Sequence, residues 1–302
     1  MTDCSYSVVI ATKGRSQCLL DTVSDLQAQS KKAAKIIISD SSADPSGNPA
    51  DHNESLKDVD IDYRSSDLES AAKQRNYGAE LVDTPLICFL DDDVRLPEDH
   101  FERLLNSWRV GEDIVGMSGR IKGLSHSPPK GVLRAYYRFQ AGYDHSDYGG
   151  QVFGPAINTV PTYFEEDRLI PSEWLNSTCL LLKTDVFSAE LFPDFQGYSW
   201  GEDMHLSTRI RKHGCIYFEN TSPYVHVSPQ DSGKRDFYKM ALMQFVNQYR
   251  VSTECLGRGP AWTRRRLCIH LYFLVMNMIR TGNKNWRSFL AGGRRALGEV
   301  SK

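Results

Sequence analysis

The fold is decided by one stretch of sequence, Pro85-Leu-Ile-Cys-Phe-Leu-Asp-Asp-Asp93, in which an apolar run ends in three consecutive aspartates. The apolar run is short and contains no charged residue, which is typical of a strand buried on both faces of a parallel sheet. Carboxylates at such close spacing repel one another, so an uncompensated triplet at a strand end is costly. The stretch therefore predicts both a central strand and a place that attracts a cation.

Strand and helix patterns alternate around this stretch through the first 120 residues. The predicted strands are Tyr6–Ala11, Lys35–Asp40, Ile61–Arg64, Pro85–Leu90 and Ile114–Gly119. The predicted helices start at an N-capping Ser16, at Ser70, and at Pro97 as a first-turn proline. This order predicts an α/β fold with a mainly parallel central sheet and helices on both faces.

Three polar clusters fall at the ends of predicted strands. They are Thr12-Lys13, Asp40 and Asp91–Asp93. Because ligands of open α/β sheets bind outside the carboxyl ends of the strands, we expect these clusters to line one ligand site.

The aspartate triplet has the chemistry of a site for a hard divalent cation. Adjacent residues of an extended backbone point to opposite sides, so Asp91 and Asp93 share a face while Asp92 points elsewhere. Carboxylate oxygens suit Mg²⁺ or Mn²⁺, and phosphate oxygens commonly complete the shell of such ions. The triplet alone leaves open the alternative of a solvated acidic turn.

Other phosphate-binding patterns do not occur in the sequence. An aspartyl-phosphate phosphatase carries Asp-x-Asp-x-Thr after its first strand, whereas the triplet comes late and is followed by Val94 and Arg95. Neither a Walker A pattern nor Gly-x-Gly-x-x-Gly follows the first strand, which disfavours nucleotide hydrolases and dinucleotide enzymes.

The second half of the chain is less regular. Its patterns predict strands over Trp174–Leu182 and Cys215–Phe218, and helices over Glu202–His213 and Arg235–Arg250. All seven cysteines are expected to be free thiols in a reducing compartment, since their number is odd and no Cys-x-x-Cys occurs. No signal peptide and no bilayer-spanning run is recognisable, so we expect a cytoplasmic protein.

At this point the chain resembles the glycosyltransferases of family 2, which have the GT-A fold. The resemblance rests on five elements in order: Val8-Val-Ile-Ala-Thr-Lys-Gly-Arg15, Ile36-Ile-Ile-Ser-Asp40, Gln74-Arg-Asn-Tyr-Gly78, Phe89-Leu-Asp-Asp-Asp93 and Trp200-Gly-Glu-Asp-Met-His-Leu-Ser-Thr-Arg209. It implies a hexosyltransferase-type enzyme that transfers sugar, with inversion, from a nucleotide diphosphate sugar, most simply UDP- or dTDP-linked.

The resemblance also implies residue roles. Asp203 resembles the general base, with Trp200 and Glu202 at the acceptor. The nucleotide sugar would be bound by Thr12, Lys13, Arg15, Asp40, Arg75, Asp91 and Asp92. The metal, Mn²⁺ or Mg²⁺, would be bound by Asp93, Asp91 and His226. Plain structural roles remain open for several of these, including a helix-end charge preference for Glu202-Asp203, whereas Asn76 and Gly78 are interpreted as structural.

The expected organisation is a catalytic domain over residues 1–232 and a basic helical region over residues 233–302. Within the first, residues 1–120 would form the nucleotide-sugar-binding half and residues 121–232 the acceptor half. The resemblance implies cell-surface polysaccharide or glycolipid assembly, without the Gln-x-x-Arg-Trp motif of processive enzymes. A sugar-phosphate nucleotidyltransferase and a degenerate nucleotide-sugar-binding protein are the alternatives.

Charge is distributed unevenly along the chain. The formal net charge is −2, yet residues 257–302 carry ten basic residues and one acid, Glu299. This tail contains a 13-residue apolar run, Leu267–Ile279, and a basic amphipathic segment, Trp286–Leu297. Two interpretations stay open: peripheral attachment to the anionic inner face of the cell membrane, or packing on the catalytic domain or a second copy. Nucleic acid is not expected, since no nucleic-acid-binding motif accompanies the charge.

Overall fold

A computed structural model describes residues 4–43, 45, 47–52, 59–68, 70–110, 113–163, 168–195, 200–227 and 236–301. Its strands are β1 (Tyr6–Thr12), β2 (Lys35–Asp40), β3 (Ile61–Ser65), β4 (Leu86–Asp91), β5 (Val94–Arg95), β6 (Ile114–Ile121), β7 (Val152–Phe153), β8 (Ile157–Asn158), β9 (Leu169–Pro171), β10 (Cys179–Lys183) and β11 (Cys215–His226). Its α-helices are α1 (Ser16–Ala28), α2 (Pro49–His52), α3 (Ala71–Ala79), α4 (His100–Val110), α5 (Gly131–Ala141), α6 (Thr184–Ala189), α7 (Glu202–Ile210), α8 (Phe237–Arg250), α9 (Pro260–Arg280) and α10 (Trp286–Glu299).

A mixed sheet forms the centre of the molecule. Its order is β3-β2-β1-β4-β10-β6-β11-β5, with β9 paired to β11 outside this path. The first four strands are parallel, and β6 is parallel to β11. Strand β10 runs antiparallel to both of its neighbours, β4 and β6. The predicted α/β architecture with a mainly parallel sheet is therefore confirmed.

Helices cover both faces of this sheet because its inner strands are apolar on both sides. On one face, Val8 and Ile10 of β1 pack with Leu19 and Val23 of α1, in a core that α4 completes. On the other face, Val9 belongs to a core with residues of α3, α6 and α7. Alternate side chains of each strand thus point to opposite faces of the sheet and belong to two different cores.

Several local expectations need correction. Ser16 is the first residue of α1 and does not cap it, since Arg15 occupies the N-cap position without a side-chain bond. Pro97 precedes α4, which begins at His100 after a turn. The strand predicted over Trp174–Leu182 begins only at Cys179, and the strand from Cys215 continues to His226.

The basic tail forms a helical bundle. Helices α8, α9 and α10 share a core that includes Phe245, Leu267, Leu271 and Phe289. The middle of α10 packs closely on the start of α8, where a Cβ on Gly292 would lie 2.1 Å from the carbonyl oxygen of Tyr238. One side of these helices is therefore buried in a core that the three helices share. The predicted domain boundary at residues 232 and 233 lies outside the described residues.

Two further observations bear on the sequence expectations. All seven cysteines are free; Cys4, Cys88 and Cys179 are buried, whereas Cys215 is exposed. Among the helices of the described part of the chain, none combines the length and the apolar composition required to cross a bilayer.

Candidate active site

Three parallel strands end together at one edge of the sheet, here called the carboxyl edge. Thr12 of β1 is in register with Asp40 of β2, and Ala11 is in register with Asp91 of β4. The three polar clusters predicted from sequence therefore do lie side by side. This convergence follows from parallel pairing, which brings the ends of strands far apart in sequence to the same place.

The aspartate triplet is held by side chains from the end of β1 and from the loop that follows it. Thr12 Oγ1 donates a hydrogen bond to Asp92 at 2.6 Å. The Arg15 guanidinium donates to Asp92 at 3.0 Å and to Asp93 at 2.9 Å. Burial raises the pKa of Asp92 above its usual range, and the bonds from Thr12 and Arg15 oppose that shift. In this structure Asp92 is thus a structural anchor of the triplet.

His226 reaches the aspartate triplet because β5 begins directly after Asp93 and pairs with the end of β11. His226 at the end of β11 pairs with Val94 of β5, and Val227 N donates to the carbonyl oxygen of Asp93. His226 Nε2 consequently lies 3.0 Å from Asp93 Oδ1, at ion-pair distance but outside hydrogen-bond geometry. The carboxylate of Asp93 raises the pKa of His226 above its ordinary value.

Asp91, Asp93 and His226 are suited to a divalent cation. One ligand atom of each lies within 4.8 Å of the others. Asp93 Oδ1 is buried and accepts no hydrogen bond from the residues that the structure describes. Two carboxylates and an imidazole form a donor set that fits Mn²⁺ and, with more oxygen ligands, Mg²⁺. The residues present therefore fit the metal that the sequence led us to expect.

Arg75 connects the carboxyl edge with the start of α7. Its guanidinium donates to Asp91 Oδ1 at 2.7 Å and to Glu202 Oε1 at 2.5 Å, and it lies 5.3 Å from the centre of the Phe192 ring. Arg75 and Glu202 are both buried. Sequence placed Arg75 at the nucleotide, whereas in this structure both ends of its guanidinium are engaged by protein carboxylates.

Helix α7 begins at the two acids of its first turn. Gly201 precedes it with φ of +87°, a left-handed conformation that favours glycine. Asp203 accepts hydrogen bonds from Ser177 Oγ at 3.2 Å and from Ser177 N at 3.4 Å. Glu202 Oε2 is buried and has no hydrogen-bond partner among the described residues. One oxygen of Glu202 is therefore free of Arg75.

The surroundings of Asp203 determine its acidity. Burial and the neighbouring Glu202 raise the pKa of Asp203 to about 7, while Arg75 acts in the opposite direction. The helix N-terminus and the bonds from Ser177 favour the charged form but do not outweigh these effects. A carboxylate with this pKa can accept a proton near neutral pH, as a general base must.

The remaining predicted residues lie around this network. Asp40 is buried and accepts hydrogen bonds from Ser42 N at 2.8 Å and from Tyr63 at 2.5 Å. Lys13 is exposed next to the carboxyl edge. Trp200 is partly buried, and its carbonyl oxygen accepts a hydrogen bond from Asn247 of α8. All of the predicted site residues are thus near the edge or the start of α7.

Asn76 and Gly78 have the structural roles expected of them. Asn76 both donates to the carbonyl oxygen of Phe192 and accepts from its N–H, each at 3.0 Å. Gly78 packs α3 against β1, since a Cβ at this position would lie 2.5 Å from Val9 Cγ1.

Sequence reasoning missed three residues of this region: Ser177, Tyr63 and Phe192. Ser177 lies inside the segment Trp174–Leu182, whose sequence pattern predicts a strand and not a part of the site. Tyr63 and Phe192 carried no motif signal, since their contacts with Asp40 and with Arg75 and Asn76 join residues that are far apart in sequence.

The family of the chain follows from a comparison with known sequence families. The model described as "Glycosyl transferase family 2" matches residues 7–157, half of the chain. The chain belongs to glycosyl transferase family 2. It is a glycosyltransferase, and the nucleotidyltransferase and non-enzyme alternatives are set aside.

Solved structures of S. aureus TarS share the fold. TarS 1-349 in complex with UDP-GlcNAc matches with a TM-score of 0.54 and 12% identity, over 98% of this chain and 91% of that chain. The complex with UDP gives 0.52 and 14% over the same shares. A longer TarS chain matches over 91% of this chain but only 43% of its own length. This likeness supports the GT-A fold. No curated protein sequence matches the chain.

Proposed function

We propose that this glycosyltransferase moves a single sugar, with inversion, from a nucleotide diphosphate sugar to a hydroxyl group of a saccharide or lipid-linked acceptor. The observation that carries the proposal is the position and acidity of Asp203. Its carboxylate has a pKa of about 7 and interacts with the Arg75 network that ends at Asp91 on the carboxyl edge. The proposed general base is thus connected, through Arg75, with the carboxyl edge at which the donor would bind.

In the proposed reaction, Asp203 acts as the general base. The acceptor oxygen attacks the anomeric carbon and forms the new glycosidic bond, while its proton passes to the Asp203 carboxylate. The bond between the anomeric carbon and the diphosphate oxygen breaks on the opposite side, and the nucleotide diphosphate leaves with the bonding electron pair. Attack opposite to the leaving group inverts the configuration at that carbon.

Ser177 and Glu202 would prepare Asp203 for this step. The two hydrogen bonds from Ser177 fix the orientation of the carboxylate. The free buried oxygen of Glu202 is available to accept a hydrogen bond from a second hydroxyl group of the acceptor, in keeping with the predicted acceptor role. Trp200 directly precedes Gly201, and its ring would stack on a sugar of the acceptor.

Asp91, Asp93 and His226 would hold Mn²⁺ or Mg²⁺. When bound, such an ion neutralises the charge that develops on the leaving diphosphate. Arg15 contacts Asp93 in the present structure and would provide a further positive charge at the same edge. The protein groups that surround the diphosphate would thus favour its departure.

The nucleotide would bind along the loops after β1 and β2. Thr12, Lys13 and Asp40 lie at that edge, and Asp40 already organises the following turn through Ser42. Two of the TarS structures are complexes with UDP and UDP-GlcNAc, which supports a UDP-linked donor ahead of a dTDP-linked one.

The proposed setting is the assembly of cell-surface polysaccharide or glycolipid. This part of the proposal rests on the family resemblance and on the lack of the Gln-x-x-Arg-Trp motif, which favours addition of one or a few sugars. Peripheral attachment to a membrane fits a lipid-linked acceptor.

Donor hydrolysis tests the proposed function without knowledge of the acceptor, because water can replace the acceptor hydroxyl. The full chain would be incubated with UDP- and dTDP-sugars, with and without Mn²⁺, and nucleotide release measured. We expect Mn²⁺-dependent release of UDP from at least one UDP-sugar, with the opposite anomer as first product by NMR. Release without any change of anomer would contradict inversion, and no release from any donor would contradict the assignment of the site.

A further inference from the structure

Two helices outside the central sheet expose apolar side chains along one stripe each. On α9 the stripe consists of Ile269, Tyr272, Met276 and Ile279, which are 40–63% exposed and recur at helical spacing. On α5 it consists of Val132, 80% exposed, and Phe139, 49% exposed, two turns apart. Neither stripe belongs to a core cluster.

The two stripes border the same helix contact. Tyr136 of α5 stacks on Phe273 of α9 with ring centres 3.7 Å apart, and its hydroxyl lies 2.6 Å from His270 Nδ1. Arg266 of α9 lies 4.0 Å above the ring of Phe139. The exposed side chains therefore form one surface, here called the α5–α9 face: Val132, Phe139, Ile269, Tyr272, Met276 and Ile279.

The apolar side chains of the α5–α9 face are not needed to form the core of the protein. The opposite side of α9 is already buried, with Leu267, Leu271 and Val275 in the bundle with α8 and α10. A contiguous exposed apolar patch on a folded protein commonly marks an interaction site.

The charges around the α5–α9 face are predominantly basic. Exposed basic residues of the three helices and their flanks include Lys130, Arg138, Arg264, Arg265, Arg280, Lys284, Arg287 and Arg294, while Arg134 of α5 pairs with Asp144 beyond the end of that helix. Glu299 is the one acid within α5, α9 and α10, and it pairs with Arg295. Arg294 donates to the hydroxyl of Tyr272 on the face itself. Self-association through this face would bring like charges together, whereas an anionic surface would complement them.

We propose that the α5–α9 face binds the surface of an anionic phospholipid bilayer. The apolar stripes enter the boundary between headgroups and acyl chains, and the flanking guanidinium and ammonium groups contact lipid phosphates. The inference rests on the proposed function for its purpose, because a lipid-linked acceptor is held at such a surface. Helix α8, which packs with α9, also bonds through Asn247 to the carbonyl oxygen of Trp200 beside the site.

Flotation of the full chain with liposomes tests this proposal. We expect the protein to float with phosphatidylcholine vesicles that contain phosphatidylglycerol, and to stay behind with phosphatidylcholine alone. The double variant Met276→Glu/Ile279→Glu should lower the partition coefficient about tenfold or more, since it places acids on an exposed apolar stripe. Val110→Glu changes a side chain that is 68% exposed on α4, and should float like the wild type.

Two readouts separate this proposal from the proposed function. Hydrolysis of a soluble donor should be unchanged in the Met276→Glu/Ile279→Glu variant, and Asp203→Asn should float normally while donor hydrolysis is lost. Equal flotation of the double variant and wild type would overturn the proposal. So would a wild-type dimer in light scattering that the double variant dissociates without any flotation, because the face would then bind a second copy.

Discussion

Arg75 donates a 2.5 Å hydrogen bond to Glu202 and thereby joins two segments that are 127 residues apart. Its second donor binds Asp91, so one buried guanidinium lies between a carboxylate of the β4 end and a carboxylate of the α7 start. This arrangement couples the proposed donor side of the site to the proposed acceptor side. The buried guanidinium also compensates the charge of Glu202 and opposes the rise in the pKa of Asp203 that burial causes.

Arg75→Met should destabilise the fold by about 3–5 kcal/mol, because removal of one partner leaves Glu202 buried without its counter-charge. Urea denaturation of the full chain measures the change. The control is Arg103→Met, which breaks an exposed pair with Asp99 on α4. That variant should lose about 1 kcal/mol or less. Equal losses in the two variants would show that the buried network contributes no more than a surface pair.

Glu202→Gln should move the acid limb of the kcat/KM profile for donor hydrolysis to lower pH. The charge of Glu202 raises the pKa of Asp203, so its removal lowers that pKa and leaves the base deprotonated in more acidic solution. Wild-type activity should fall as the pH drops through about 7. Glu98→Gln, at an exposed position, should leave the profile in place. A Glu202→Gln limb that is unmoved or displaced upward would refute this account of the pKa.

Asp93→Asn should weaken binding of Mn²⁺ about tenfold or more, measured with the metal ion alone by calorimetry or electron paramagnetic resonance. The buried Oδ1 of Asp93 accepts no hydrogen bond from the described residues and is free to bind a cation. Asp99→Asn removes a half-exposed carboxylate elsewhere and should leave the affinity unchanged. If both variants bound Mn²⁺ like the wild type, Asp93 would not be a ligand.

Gly78→Ala should cost about 1–3 kcal/mol of stability, since the new methyl group would lie 2.5 Å from Val9 and force α3 away from β1. Thermal unfolding reports the loss. Gly298→Ala in α10 adds the same methyl group where no atom lies within 4 Å. It should be neutral or stabilising by up to about 1 kcal/mol. A neutral Gly78→Ala would mean that the two elements can separate freely.

The sequence predicted the elements whose signal is local. Strand β2 has the predicted limits, Lys35–Asp40, because an apolar run bounded by a polar loop is informative by itself. Thr12, Asp40 and Asp91 were expected to meet because parallel strands place their carboxyl ends together, and their register confirms it. The interpretation of the Gln74–Gly78 element was correct for Asn76 and Gly78.

Features that depend on distant pairing were not accessible in this way. The length of β11, which brings His226 to Asp93, depends on its pairing with β5, a strand of two residues without a signal of its own. The engagement of Arg75 by two protein carboxylates likewise requires α7 to lie against the sheet. For the tail, composition left both packing and membrane attachment open, and the structure separates a buried side of α9 from an exposed one.

Turnover of the donor by Asp203→Asn tests the central claim most directly. The substitution keeps the size and the Ser177 contacts of the side chain but removes its capacity to accept a proton. The account predicts that hydrolysis of the best UDP-sugar falls about 10²–10⁴-fold in kcat, while the affinity for UDP and Mn²⁺ stays within a factor of about two. Undiminished hydrolysis with intact UDP binding would show that Asp203 is not the base.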